Sequence, residues 1–366
     1  MNGRERILTA LGRGQPDRVP IWELAFNEAS IISLARSFVA EDKLPAPKLF
    51  FDMDEDELLK LIDGFVAMVR GLDLDGIDTV NGAPFERIDR DHVRDANGVV
   101  FHCSDFGEPY PVDGPIKDAA DLERFELRRP QDEDLLQLML ARSNFPERAV
   151  SYMMSGPFYI SWCLRGSMES LLLDYLLNPG LARDLARMAT DYCLEAVEKV
   201  AEQGADFIIL ECDLACTKST LMGRAQYEEF IGPYHRQIVE HAHKHRIKAA
   251  KHSDGAITPF VPAFIEEGFD ALHPVQPQCM DIGETKREFG SRLCIMGNID
   301  CADLLVSGTP DDVRESVRQT LAAAAPGGGY IVSSSNTIHP GCKPENYVAM
   351  VEAAREYGRY PELTDV

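Results

Sequence analysis

Asp206-Phe207-Ile208-Ile209-Leu210-Glu211-Cys212-Asp213 carries the reading of the fold. Four bulky apolar residues stand in a row and end on two acids flanking a cysteine. A strand with one wet face alternates polar and apolar residues. An unbroken apolar run marks a strand buried on both faces, as parallel sheets produce. The same texture recurs at residues 19–24, 76–80, 149–156, 247–253, 271–276, 292–300 and 330–335. Patterns of helical period lie between most of these runs, at 54–70, 179–203, 225–245, 259–267, 282–289, 310–325 and 344–356. Several begin with proline, whose fixed φ and missing donor suit a first helical turn. Eight strands joined by helical crossovers predict an α/β fold, a single (β/α)8 TIM barrel over residues 1–366; a doubly wound open sheet is the competing arrangement. Residues 84–115 break the rhythm. Asn97-Gly98 between short β-rich runs, followed by Gly107, Tyr110 and Gly114, predicts a β-hairpin insertion near the barrel mouth.

Bulk properties narrow the function. The chain has 366 residues, 45% hydrophobic and 27% charged, and a formal net charge of −23. Such a surface repels phosphate backbones and anionic lipid, so nucleic acid and membranes are disfavoured partners. No run reaches the roughly 20 apolar residues of a membrane span, and no apolar segment follows the first residues as in a signal peptide. Nine cysteines without regular spacing read as reduced thiols. Together these predict a cytoplasmic protein, with which a homodimer is compatible.

Barrel enzymes carry their chemistry at the C-terminal ends of the strands. Here those ends hold Glu23, Asn81, Glu211, Asp213, His252, Asp254, Asn298, Asp300, Ser335 and Asn336, with Phe158 behind a Gly156-Pro157 turn. Polar groups buried there without partners would each cost roughly 1–3 kcal/mol, so a ring of them calls for a ligand or for one another. His252 is the sharpest candidate, since a neutral imidazole can ligate metal and can also exchange protons near pH 7. Asp254 can orient it or ligate beside it. Glu211 and Asp213 alternate with Cys212 and so share one face. Other features read blandly. His241, His243 and His245 form a solvated helix face, and Gly327-Gly328-Gly329 precedes a strand and opens no helix, unlike a phosphate loop.

Several segments resemble one family across nearly the whole chain. They are Arg4-Glu5-Arg6-Ile7-Leu8 with Pro16-Asp17-Arg18-Val19-Pro20; Gly156-Pro157-Phe158; Asp213 with Tyr227-Glu228-Glu229-Phe230 and Pro233-Tyr234; Gly297-Asn298-Ile299-Asp300; and Pro344-Glu345-Asn346 with Tyr357-Gly358-Arg359-Tyr360-Pro361. All are similar to the uroporphyrinogen decarboxylase superfamily. One branch of that family decarboxylates a substrate with many carboxylates, held by arginines of the N-terminal segment. Here residues 21–28 hold no cation and Glu23 stands at the strand end. The other branch moves methyl groups to or from corrinoid proteins, usually with zinc held by His-x-Cys after strand five and a cysteine after strand eight. His252 matches that histidine, Asp254 takes the place of the first cysteine, and Cys342 lies near the second.

The resemblance to the methyltransferase branch implies methyl transfer between a small O- or N-methylated compound and a corrinoid carried on a partner protein. No Asp-x-His-x-x-Gly pattern of a corrinoid domain occurs in this chain. It implies His252, Asp254 and Asp213 as catalytic groups, and zinc on His252 with Glu211 and Cys342 or Asp254. Without metal, His252 or Asp254 would serve as general acid. Glu23, Asn81, Phe158, Asn298, Asp300, Ser335 and Asn336 would bind substrate. Two alternatives stand beside this: a carboxy-lyase acting on a smaller acid, and a non-catalytic small-molecule-binding barrel.

Overall fold

A computed structural model describes residues 1–103 and 109–360; Gly107 and Pro361 of the sequence argument lie outside the described residues. Eight parallel strands form one sheet: β1 Trp22–Glu23, β2 Gly76–Val80, β3 Ala149–Ser155, β4 Phe207–Glu211, β5 Lys248–His252, β6 Ala271–His273, β7 Cys294–Met296 and β8 Tyr330–Ile331, hydrogen-bonded in that order. The last strand returns to the first. Ile21 bridges Val332 in parallel, Trp22 N donates to Val332 O (3.1 Å), and Val332 N donates to Pro20 O (3.0 Å). The order therefore closes and the chain has the (β/α)8 fold. Every expected strand is present. Glu23, Glu211 and His252 are the last residues of β1, β4 and β5, whereas Asn81, Asp213, Asp254, Asn298, Asp300, Ser335 and Asn336 lie beyond their strands.

The helices follow the apolar periodicity. Glu55–Gly71 starts at a capping box in which Asp54 accepts from Glu57 N (2.9 Å) and Glu57 accepts from Asp54 N (2.9 Å). Pro179–Glu202 begins with its proline in the first turn. The pattern at 225–245 is two helices, Arg224–Phe230 and Gly232–Lys244, since Pro233 cannot continue the first and suits the start of the second. The insertion is larger than a hairpin. Glu86–Arg87, His92–Arg94, Val100–His102 and Tyr110–Asp113 make a four-stranded antiparallel sheet. Asn97-Gly98 does form the expected turn: Gly98 has φ +85° and Asp95 Oδ1 accepts from Asn97 N (2.9 Å) and Val99 N (2.8 Å). The outer strands are short and mostly solvent-facing, so no run of apolar residues announced them.

The chain packs as two compact units, residues 1–78 with 143–151 and 270–366, and residues 79–142 with 152–269. The first is pinned by an ion network on Asp75. This buried carboxylate accepts from Arg6 Nη1 (3.0 Å), from Arg18 Nη1 (2.6 Å) and Nη2 (3.0 Å), and from Ile21 N (2.9 Å). Arg6 also pairs with Asp17 at 2.7 Å. The N-terminal segment is thus tied to the entry of β1 by charge-assisted bonds. Replacing Asp75 by Ala takes the close carboxylate from the mostly buried Arg18 and leaves Arg6 with Asp17 alone, and is expected to cost about 3 kcal/mol in urea unfolding. Lys60→Ala, which removes an exposed pair with Asp56, should leave the midpoint where it is. Equal effects of the two substitutions would show that the network does not anchor the segment.

Candidate functional site

The chemistry of the second unit gathers where β4 and β5 end. In this parallel pair Glu211 lies opposite His252, and the chain then leaves both strands. The two departing loops are pulled together. Ala256 N donates to Cys216 O (2.9 Å), Leu214 N to Ser253 Oγ (2.9 Å), and Asp254 N to Asp213 Oδ1 (2.8 Å). Gly255 has φ +88°, and a Cβ there would sit 2.7 Å from the backbone of Ala215 and Cys216. Only glycine permits that approach. The result brings Asp213, His252 and Asp254 together, with one ligand atom of each within 4.8 Å of the others. His252 Nε2 is 4.0 Å from Asp213 Oδ1.

Behind this cluster lies Lys251, fully buried, on the opposite side of β5 from His252. Its Nζ donates to Cys212 O (2.9 Å), Leu210 O (3.3 Å) and His252 O, lies 3.4 Å from Cys212 Sγ, and sits 5.8 Å from the centre of the Phe264 ring. One ammonium thus ties together the last carbonyls of two neighbouring strands. The Cys212 thiol lies 3.8 Å from His235 Nε2. His235 Nδ1 is 3.3 Å from Glu267, which accepts from Tyr227 Oη at 2.6 and 2.8 Å. Lys251 falls within the strand read at 247–253, where Lys248 and His252 also stand, so a second lysine drew no notice there.

Burial sets the protonation of the cluster. His252 is pulled down to about 4, mainly by loss of solvent, with Lys251 adding to the effect and Asp213 opposing it. At neutral pH the imidazole is uncharged with a lone pair available. That state suits a metal ligand better than a general acid, the other role expected of it. Glu211 and Cys342, expected beside His252 in a metal set, are not in this group. Glu211 is two residues short of Asp213 along the chain, a step of about 7 Å on a strand. The Cys342 thiol is buried against Cys301 O at 3.5 Å and is pushed up to about 12 by that burial, so it holds its proton.

In the first unit Glu23, at the end of β1, accepts from Ser334 Oγ (2.6 Å), Ser334 N (3.2 Å) and Leu24 N (3.3 Å). Burial pushes this carboxyl up to about 7, against those bonds. A carboxyl able to hold or release a proton at neutral pH is a mark of functional sites. The other expected contacts are mostly engaged locally. Asn298 Nδ2 donates to Val275 O (3.0 Å). Asp300 Oδ1 accepts from Ala302 N (2.8 Å) and Asp303 N (3.2 Å), and Asn336 Oδ1 accepts from Thr337 N (2.6 Å). Ser335 Oγ accepts from Cys301 N (3.2 Å). In the second unit Asn81 Oδ1 accepts from Ala83 N (2.7 Å) while its Nδ2 donates to Tyr192 Oη (3.1 Å), and Phe158 is buried in the first turn of the helix Pro157–Arg165.

The family profile described as Uroporphyrinogen decarboxylase (URO-D) matches residues 93–357. The chain belongs to the uroporphyrinogen decarboxylase family. Among curated relatives, a methylated-thiol–coenzyme M methyltransferase of Methanosarcina mazei is 24% identical over 58% of this chain and 55% of its own length. A uroporphyrinogen decarboxylase of Methylococcus capsulatus is 25% identical over 72% of this chain and 76% of its own. Another from Thioalkalivibrio sulfidiphilus is 31% identical, over 36% of this chain and 37% of that protein. The match thus spans about a third of one of these relatives and about half of another. Among solved structures, a methyltransferase from Methanosarcina mazei superposes with a TM-score of 0.72 over 98% of this chain and 99% of its own, at 17% identity, which establishes the shared fold. Among the described residues, no helix is long and apolar enough to cross a membrane.

The raised Glu23 pKa has a stability consequence with a definite sign. A carboxyl whose folded value exceeds its unfolded one favours folding fully below the unfolded value, near 4.5, and that favour is lost as pH rises through about 7. The gap is worth up to about 3 kcal/mol. Urea unfolding should therefore show the wild type losing stability relative to Glu23→Gln between pH 5 and pH 8. Parallel pH profiles for the two proteins would mean that Glu23 ionises normally.

Proposed function

We propose that this protein transfers a methyl group between a small O- or N-methylated compound and a corrinoid carried on a separate protein. The observation that carries the reading is the Asp213–His252–Asp254 cluster, where a neutral buried imidazole and two carboxylates lie within 4.8 Å of one another at strand ends. The methylated-thiol–coenzyme M methyltransferase among the curated relatives supports the choice of reaction.

The cluster fits a divalent metal. One nitrogen and two oxygen donors suit zinc or a similar borderline ion, and three protein ligands leave a coordination position for substrate. When bound, such an ion would act as a Lewis acid on the oxygen or nitrogen that the methyl group leaves. The protein's own part is preparation. Asp254 N holds the Asp213 carboxylate in place, Ser253 holds the loop after β4, and Lys251 fixes the backbone on which Asp213 and His252 stand. Burial keeps His252 unprotonated, so no proton competes for its ring nitrogen at neutral pH.

Relatives named uroporphyrinogen decarboxylase favour a second reading, decarboxylation. A many-carboxylate substrate needs cations to offset buried charge. The cluster described above is anionic, and Lys251 beside it is buried and spends its donors on backbone carbonyls. That chemistry favours methyl transfer over decarboxylation of a polyanion.

The test offers purified protein a panel of O- and N-methylated small compounds with chemically reduced free cobalamin as methyl acceptor, and follows methylcobalamin formation by its absorbance. Transfer by the wild type and its loss by a factor of roughly 100 or more in His252→Ala are expected, the scale of losing one strong electrostatic contributor. Metal analysis should show one equivalent fewer in the variant. Release of carbon dioxide from small acids without any corrinoid, with no methyl transfer across the panel, would replace this reading by the lyase.

A further inference from the structure

We propose that Glu198, His241 and His245 form a second metal site, on the surface of the second unit, for a late divalent transition ion of the zinc or nickel class. The three residues come from two packed helices. Glu198 stands near the end of Pro179–Glu202, His241 lies in the last turn of Gly232–Lys244, and His245 follows as its cap residue. His245 N still donates to His241 O (3.2 Å), so the helical spacing holds through both histidines. Residues four apart on a helix face the same way. Their imidazole rings accordingly lie 4.8 Å apart, centre to centre. From the neighbouring helix, Glu198 Oε1 reaches to 3.1 Å from His241 Nε2. One ligand atom from each of the three lies within 4.8 Å of the other two, one of two such groups among the described residues.

The donor set selects the ion. Two imidazoles with one carboxylate suit zinc, nickel and copper(II), whereas magnesium and calcium prefer all-oxygen shells. Two histidines and one glutamate are a recurring zinc triad that leaves further positions to water. Glu198 and His245 are exposed and His241 half-buried, so water is at hand and an ion has an open entry path. The net charge of −23 favours accumulation of cations at the surface. The sequence reading treated these histidines as a solvated helix face. It had no means of seeing Glu198, which is 43 residues away from His241. An ion there would join the ends of two helices, binding the folded chain in preference to the unfolded one and so raising its melting temperature.

The experiment separates this site from the strand-end cluster. Full-length protein is stripped with chelator and titrated with zinc against a chromophoric competitor, as wild type, His252→Ala, His245→Ala and Glu198→Gln. His245 and Glu198 are exposed, and unchanged melting temperatures without metal will show that their variants fold. In the His252→Ala background one equivalent should still bind and should still raise the melting temperature. In His245→Ala that equivalent should weaken by roughly tenfold or more, with a smaller weakening in Glu198→Gln. Magnesium should produce neither effect. Wild-type affinity and thermal response in His245→Ala would overturn the proposal, as would loss of all zinc in His252→Ala or no binding by the wild type. Loss of one of two equivalents in His252→Ala, the other remaining, reports on the strand-end cluster instead, so the two readings fail separately.

Discussion

The ends of β4 and β5 are held by a single buried ammonium, and the candidate chemistry stands on what it holds. Lys251 turns away from the face that carries His252 and binds carbonyls of Leu210, Cys212 and His252. Those carbonyls lie within and just beyond the last pairs of the two parallel strands. Without Lys251 the Cys212 carbonyl would lose its 2.9 Å donor, and a buried acceptor left unpaired costs roughly 1–3 kcal/mol, while His252 O would keep a long bond from Cys212 N (3.4 Å). An apolar side chain of the same length would satisfy none of them. A charged group in this place is itself expensive to bury, and its several short bonds and the facing Phe264 ring are what make it tolerable. The Tyr227–Glu267–His235–Cys212 chain continues the polar network behind it and places a buried acid within the same unit.

Desolvation acts on the two strand-end groups in opposite electrical senses with one outcome. It pulls the imidazole of His252 down and pushes the carboxyl of Glu23 up, since in each case the charged form is the one that loses water. His252 is thereby kept as a neutral donor with a free lone pair, while Glu23 is poised to carry a proton at neutral pH. Neither behaviour follows from residue type alone. A solvated histidine would be half-charged near pH 6.5 and a solvated glutamate fully ionised. The protein obtains both states from apolar strands beneath polar strand ends, a contrast already visible in the sequence.

What the sequence disclosed and withheld divides along the range of the interactions. Most of the eight strands were legible because burial on both faces leaves a short apolar run; β5, with Lys248, Lys251 and His252, was legible from its place in the strand–helix alternation. Asp213, His252 and Asp254 were legible as strand-end residues, and their grouping follows from the parallel register of two consecutive strands. Glu211 and Cys342 were assigned to a metal set from spacing and resemblance, and spacing does not report that a thiol is spent on the Cys301 carbonyl. The size of the insertion was hidden because Glu86–Arg87 is exposed and His92–Arg94 buries only Val93, so strands this short carry no apolar signature. The Pro157–Arg165 and Met168–Leu177 helices were missed since they follow one another closely and break the regular strand-helix rhythm.

The motifs that carry the family resemblance prove to be mostly architectural. Arg6, Asp17 and Arg18 converge on or beside Asp75. Tyr227 binds Glu267 behind the strand ends, and Asn346 donates to the carbonyls of Leu305 and Gly308. At Gly297, with φ +131°, a Cβ would collide with Pro274 O. Each is a place where the backbone has one solution, so each marks the fold whatever reaction the fold supports. The positions that would decide the reaction are the ones that depart from the methyltransferase pattern: an aspartate at 254 in place of a thiol, and Cys342 engaged elsewhere. Family membership therefore secures the scaffold, and the reaction has to be argued from the donor atoms that this chain places at the ends of β4 and β5.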